Sequence, residues 1–339
     1  TLGGVMHYVA LDVRNLKRWL GGEIGTAGTA ARNSNGYIVY FSDRRGDHNE
    51  DLPDHPETGE YGFEDVVNPL DAEGDQNATL DAGEDNNLNG DLDRHGEDPY
   101  PGAGVIPAGS STPFVATSRP WTSVGAGEAA VNRQVLFRRA LKLVNGGINS
   151  GVNSLPASGL TVAAENPVYV QGNYNATTDP LAEPNVPAAI VADAVTLLSR
   201  NWTDFGSFRY PNNRAVREAA TTGYRFAVIA GKNPSFPYPS AGSPYFLFGT
   251  DGGTGNFLRL LEDWNVSGRS INYRGSIISL YYSRQATGTF KYNANVYDYG
   301  ERNFTFDTDF LDPTLLPPGT PMFRDINTLT FRQILRPTE

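Results

Sequence analysis

The chain has 339 residues, enough for one large domain or two ordinary ones, and no cysteine, which excludes disulfides, thiol catalysis, iron–sulfur clusters and cysteine zinc sites. Its net charge of −11 argues against nucleic acid or an anionic membrane as partner. Only 19% of residues are charged, whereas 37 Gly, 23 Pro and 17 Tyr give a loop-rich, β-leaning composition. No apolar run is long enough to span a membrane, and no signal peptide is visible. Thr1 opens mid-element, so the chain is expected to belong to a longer precursor.

In chain order, Val9, Val13, Leu16 and Leu20 recur at helical spacing and predict a helix over 9–20, ended by Gly21 and Gly22. The β-branched and aromatic run 36–42 predicts a buried strand. A long connection, 43–127, follows, of a length that usually marks a functional or ion-ordered insertion. Val131, Val135, Leu136, Leu141 and Val144 predict a second helix over 128–145. Strands are expected at 159–164, 166–172 and 222–231, and helices at 187–200 and 255–264. Long alternating stretches over 271–306 read as a meander or coil of strands, followed by an extended, Pro-rich tail over 307–339.

The acidic stretch 71–98 dominates the long connection. It holds almost no large apolar side chain and sets Asp, Glu and Asn at alternating positions broken by glycine, a ligand chemistry suited to hard divalent cations. Asp85, Asn87, Asn89 and Gly90 match the calcium-loop pattern D-x-[DN]-x-[DN]-G, with Asp91 and Asp93 as further ligands. The helical calcium loop needs a bidentate Glu at its last ligand position, and Gly96 stands there. The stretch therefore reads as a short, non-helical calcium loop. Asp75, Asn77, Thr79, Asp81 and Glu84 form a second half-match that is expected to hold a neighbouring ion. Asp43 opens a further acidic group with Asp47, Asn49, Glu50, Asp51 and Asp54, balanced between a cation site and a solvated loop.

Catalytic signatures are sparse. None of the four histidines has H-E-x-x-H spacing, and there is no G-x-S-x-G elbow. The sharpest enzymatic alternative is a glycan-active site that draws paired carboxylates from Asp298, Glu301, Asp307, Asp309 or Asp312. Tyr281, Tyr282, Tyr292, Tyr297 and Tyr299 would then form a sugar platform.

Four strings carry a family resemblance: GYIVYFSDRRGDHN at 36–49, TGEYGFEDVVNP at 58–69, GLTVAAENPVYVQGNYN at 159–175 and VPAAIVADAVTLLSRNW at 186–202. They resemble the C-terminal region of PilX-like, type IV pilus-associated bacterial surface proteins. The resemblance implies an exported, cell-surface or filament-associated protein and supplies no catalytic residue.

The expectation is an α+β, β-rich fold with a few packed helices, a solenoid-like or meander second half and a calcium-ordered acidic loop. Residues 1–150 would form a helix and strand region carrying the insertion 43–100, and 151–339 a β-rich domain. The expected function is that of an extracellular, calcium-stabilised structural protein, not an enzyme. Its expected partners are copies of itself, pilus or filament subunits and surface glycans.

Overall fold

The computed structural model describes residues 5–25, 35–43, 137–209, 214–232, 258–265, 268–283, 285–286, 297–298 and 300–321. Almost every strand pairing among them is parallel. Strand β1 (Val5–Asp12) runs directly into helix α1 (Val13–Leu20), and β2 (Tyr37–Phe41) and β3 (Phe137–Val144) follow. A small antiparallel pair, β4 (Ile148–Asn149) and β5 (Val152–Asn153), precedes β6 (Leu160–Ala164), β7 (Val168–Gln171), β8 (Ala188–Ala192) and β9 (Val195–Leu198). After the short helix α2 (Asp204–Arg209) come β10 (Thr222–Arg225), β11 (Ala227–Ala230) and β12 (Leu258–Leu260). The last strands are β13 (Ser270–Gly275), β14 (Ile277–Ile278) and β15 (Glu301–Phe306).

Three parallel sheets result: sheet one in the order β1-β3-β7-β9-β12, sheet two in the order β2-β6-β8-β11-β14, and sheet three in the order β10-β13-β15. Each pass of the chain thus lays a strand beside its counterpart from the preceding pass. Parallel pairing replaces the meander, which would need antiparallel neighbours. β3 pairs with β7 in sheet one and β2 with β6 in sheet two, so both sheets hold strands from either side of residue 150.

Register explains the core. In sheet one Leu141, Val168, Val195 and Leu258 align across four strands, and all four are buried. In sheet two Val162, Ile190 and Val228 align in the same way. Sheet three stacks aromatics: Tyr224, Tyr273 and Phe304 are in register, and Tyr174 bridges to Tyr224. Phe226 meets Tyr174 and Tyr273 edge-on at 5.3 and 5.7 Å, contacts that contribute about 0.5–1.5 kcal/mol each beyond area burial.

Only Phe226 separates β10 from β11, and only Ser276 separates β13 from β14. The backbones stack so closely at this corner that a Cβ at Gly275 would lie 2.0 Å from the Phe226 carbonyl oxygen, which explains the glycine. A buried polar ladder runs alongside. Lys17 of α1 donates to the Asn153 carbonyl at 2.7 Å, Asn153 to Asn175 Oδ1 at 2.6 Å, and Asn175 to the Arg225 carbonyl at 2.8 Å. The ladder places α1 over the column that ends in sheet three.

Four expected helices are corrected. Over 9–20 the helix starts only at Val13, because Asp12 accepts from Asn15 N–H at 2.9 Å as its N-cap and the residues before it pair as β1. The helix expected over 128–145 is strand β3 across its described part, 137–144. The one expected over 187–200 is two strands, β8 and β9, separated by Asp193 and Ala194. Within 255–264, Leu258–Leu260 form β12 and none of the described residues is helical. The strands expected at 36–42, 159–164, 166–172 and 222–231 are β2, β6, β7, and β10 with β11.

The tail folds back on its own chain. Asp307 N–H bonds to the Gly275 carbonyl, two 3-10 turns follow (Thr308–Leu311 and Pro313–Leu315), and Thr161 Oγ1 donates to the Pro318 carbonyl at 2.7 Å. Pro318 packs on Gly36 and Gly159. Residues 307–321 therefore strap the last strand of sheet three to the first strands of sheet two. Residues 322–339 of the expected tail lie outside the described residues.

Candidate functional site

Three long connections leave after a strand of sheet two: 44–136 after β2, 233–257 after β11 and 287–296 after β14. The two other passages out of sheet two are tight, with Glu165, Asn166 and Pro167 joining β6 to β7 and Asp193 and Ala194 joining β8 to β9. These tight passages hold the starts of the long ones. Asn166, fully buried, accepts from Asp43 N–H at 2.8 Å and donates to the Asp43 carbonyl at 3.0 Å and to Gln285 Oε1 at 2.8 Å. Asp193 Oδ2 accepts from Gln285 and Ala286 N–H at 3.2 and 2.6 Å. Its carbonyl accepts from Ser283 Oγ at 2.8 Å and from Gly231 N–H at 3.0 Å. Glu165 accepts from Tyr40 Oη at 2.5 Å and Ser42 Oγ at 2.9 Å. The corner is a frame for loops, and loops on a rigid frame are where binding residues concentrate.

The expected calcium ligands Asp75, Asn77, Thr79, Asp81, Glu84, Asp85, Asn87, Asn89, Asp91 and Asp93 lie outside the described residues, in the first of these connections. Of the second acidic group only Asp43 is described, and it is buried in the corner. Among the described residues no three Asp, Glu or His side chains stand together as a metal-binding group. No described helix is long and apolar enough to cross a membrane.

The carboxylates proposed for glycan chemistry have separate roles. Asp307 accepts from Arg225 Nε at 2.8 Å and Arg274 Nε at 2.9 Å, and Asp309 accepts from Arg225 at 2.5 Å. Burial raises the Asp307 carboxyl, but the Arg225 and Arg274 hydrogen bonds outweigh it and hold the group below its ordinary value. Asp312 accepts from Thr314 N–H at 2.8 Å and caps a 3-10 turn. Asp298 bridges to Asp263 through the backbone, and Glu301 is exposed on β15. Tyr281 donates to the Ala192 carbonyl at 2.7 Å, and burial pushes its hydroxyl up to about 12. Tyr282 is exposed, Tyr297 packs against the core, and Tyr292 and Tyr299 lie outside the described residues. The structure thus gathers Asp307 and Asp309 around an arginine, an ion-pair arrangement.

Two buried polar clusters had no motif to signal them. Glu262 accepts from Ser199 N–H and Oγ, both at 2.6 Å, and burial pushes its carboxyl up to about 7 against the lowering pull of Ser199 and Arg217. On the outer side of sheet one, buried Lys142 donates to both Asp204 oxygens at 2.8 and 2.7 Å. Tyr8 Oη and Trp202 Nε1 donate to the same carboxylate at 2.7 and 2.8 Å. These contacts brace α2 against β1 and β3. Their members are scattered from residue 8 to residue 262, so only the fold brings them together. Comparison of the chain with protein-family models, with curated proteins and with solved structures gives no match.

Proposed function

We propose that this chain is an extracellular, calcium-stabilised structural protein, pilus-associated or building a surface filament, and that its parallel sheets wind as a solenoid. The observation that carries this reading is the calcium-loop pattern at Asp85, Asn87, Asn89 and Gly90, within a connection that leaves from Asp43, a residue bonded into a buried corner. A cation bound by that connection would bind the folded form alone and stabilise it by mass action. In a chain without cysteine, calcium takes the place of disulfides as the staple. The resemblance to PilX-like surface proteins supports the same setting. Thermal melts in calcium and in EGTA test the proposal: the midpoint is expected to fall in EGTA, and an unchanged midpoint overturns it.

A second reading, glycan binding, is favoured by one observation. The outer face of sheet two aligns Tyr40, Ala163, Val191, Ile229 and Ile278 with no charge among them, and Tyr40 is 64% exposed. An aliphatic row ending in an exposed tyrosine ring suits the apolar side of a sugar ring. Retention on immobilised polysaccharide, abolished by Tyr40→Ala, is the outcome that would favour it.

A further inference from the structure

The two ends of the parallel stack differ in chemistry. At one end β15 is the outermost strand of sheet three and pairs only with β13 among the described strands. Phe304 continues the inward column of Tyr224 and Tyr273, yet it is 40% exposed, and Phe306 is 53% exposed. The aromatic core is therefore open to solvent there. Glu301 on β15 and Asp312 in the turn region after it are exposed, whereas Arg302 is partly buried. At the other end α1 lies over the same column, joined to it by the ladder from Lys17 through Asn153 and Asn175. The helix carries Arg14, Lys17 and Arg18 against its capping Asp12 and Glu23, the latter 3.4 Å from Arg18, which leaves one base in excess, and it presents Trp19, 37% exposed.

We propose that copies of this chain associate head to tail, the β15 end of one copy receiving the α1 end of the next. Charge decides the partner. Two β15 ends brought together would set Glu301 and Asp312 against their own copies, whereas α1 brings Arg14 and an indole to an end with exposed acids and exposed phenylalanines. The contact is heterologous, so the site left open at each end recruits a further copy and the assembly grows as an open filament. This inference rests on the filament reading and names the surfaces that would build it.

The test is sedimentation velocity of the chain over a range of concentrations, in calcium buffer at low and high salt. The average mass is expected to rise with concentration, and to rise less at high salt, where exposed charges are screened within about 10 Å or less. A monomer throughout overturns the proposal and points to the chain's own terminal residues as the cover of β15. A particle that stops at two copies overturns it in favour of a closed dimer. Two blocked variants give the sharper result. Phe304→Lys closes one end and Trp19→Glu the other, so each alone stays monomeric and an equimolar mixture forms a two-copy particle that grows no further. A mixture that stays monomeric while the parent chain polymerises assigns the association to another surface. Because Phe304 is half-exposed its replacement is expected to fold, and Glu301→Lys, a surface change at the same end, must weaken association in parallel. Pairing Glu301→Lys with Arg18→Glu is expected to restore it. The calcium melt is scored independently: a midpoint shift with a monomeric chain removes this inference alone.

Discussion

Arg225 Nε donates to Asp307 Oδ2 across 2.8 Å, and both side chains are almost wholly buried. The contact joins β10 to the residue that follows β15, and Arg274 of β13 donates to the other oxygen of the same carboxylate. Asp307→Ala removes the carboxylate that two guanidinium groups share, leaving Arg225 with Asp309 and Arg274 with the Thr308 hydroxyl, and a loss of about 3 kcal/mol in denaturant melts is expected. The pH dependence has a definite sign. The folded carboxyl sits below its ordinary value of 3.8, so its stabilisation is present above that value and lost as pH falls through the depressed one. The parent chain should therefore lose stability in acid more steeply than Asp307→Ala.

Glu262 has the opposite sign. Burial raises its carboxyl from 4.5 to about 7, so the folded state favours the proton. Its stabilisation is present below about 4.5 and lost as pH rises towards 7. Glu262→Gln mimics the protonated acid, accepting from Ser199 N–H and donating to Ser199 Oγ. Melting points across this window should be flatter for Glu262→Gln than for the parent, with a gain on the order of 1–3 kcal/mol at neutral pH. An equal slope in both proteins would show that the group does not titrate there.

The strands bounded by turn residues were legible in the sequence, and the strands rich in alanine and leucine were not. In 187–200 both faces of β8 are apolar, Ala188, Ile190 and Ala192 on one and Ala189 and Val191 on the other, so no alternation survives to oppose a helical pattern. Ala188, Ala189 and Ala192 suit a helix by propensity, and here they are small residues at tight stacking positions. In β3 the inward pair Leu141 and Leu143 follows the two-residue period, but Val144 also completes a helical face. The Arg225–Asp307 pair was half legible: Asp307 stood among the candidate carboxylates, and its arginines, far away in sequence, did not. A single sequence carries no signal for contacts that register alone creates.

The acidic connection gives a residue-level expectation. Asp85→Ala with Asp93→Ala removes two ligands of one loop, and Asp75→Ala with Asp81→Ala removes two of its neighbour. Each pair is expected to lower calcium stoichiometry in titration calorimetry and to shrink the calcium-dependent shift in melting midpoint. A midpoint in EGTA equal to the parent's would show that the substitutions act only through the metal.

Asn175 is the residue on which three passes of the chain converge. Its backbone has φ 51, a conformation that asparagine tolerates better than most residues, and its side chain is 1% exposed. Nδ2 donates to the Val186 and Arg225 carbonyls at 2.7 and 2.8 Å. Oδ1 accepts from Val186 N–H at 3.0 Å and from Asn153 Nδ2 at 2.6 Å. Every hydrogen-bonding site of the amide is filled. Asn175→Ala removes four hydrogen bonds, leaves buried partners unsatisfied and strains the backbone, so a loss of about 3–5 kcal/mol is expected. Asn175→Asp keeps the shape but turns two donors into acceptors that face carbonyls, and it should cost at least as much at neutral pH and recover partly in mild acid. Asn175→Gly relieves the backbone strain while losing the same bonds, so the difference between the Gly and Ala variants in urea melts measures the conformational share, about 1 kcal/mol. If Ala and Gly were equally mild, the ladder from α1 to β10 would not be what holds these passes in register.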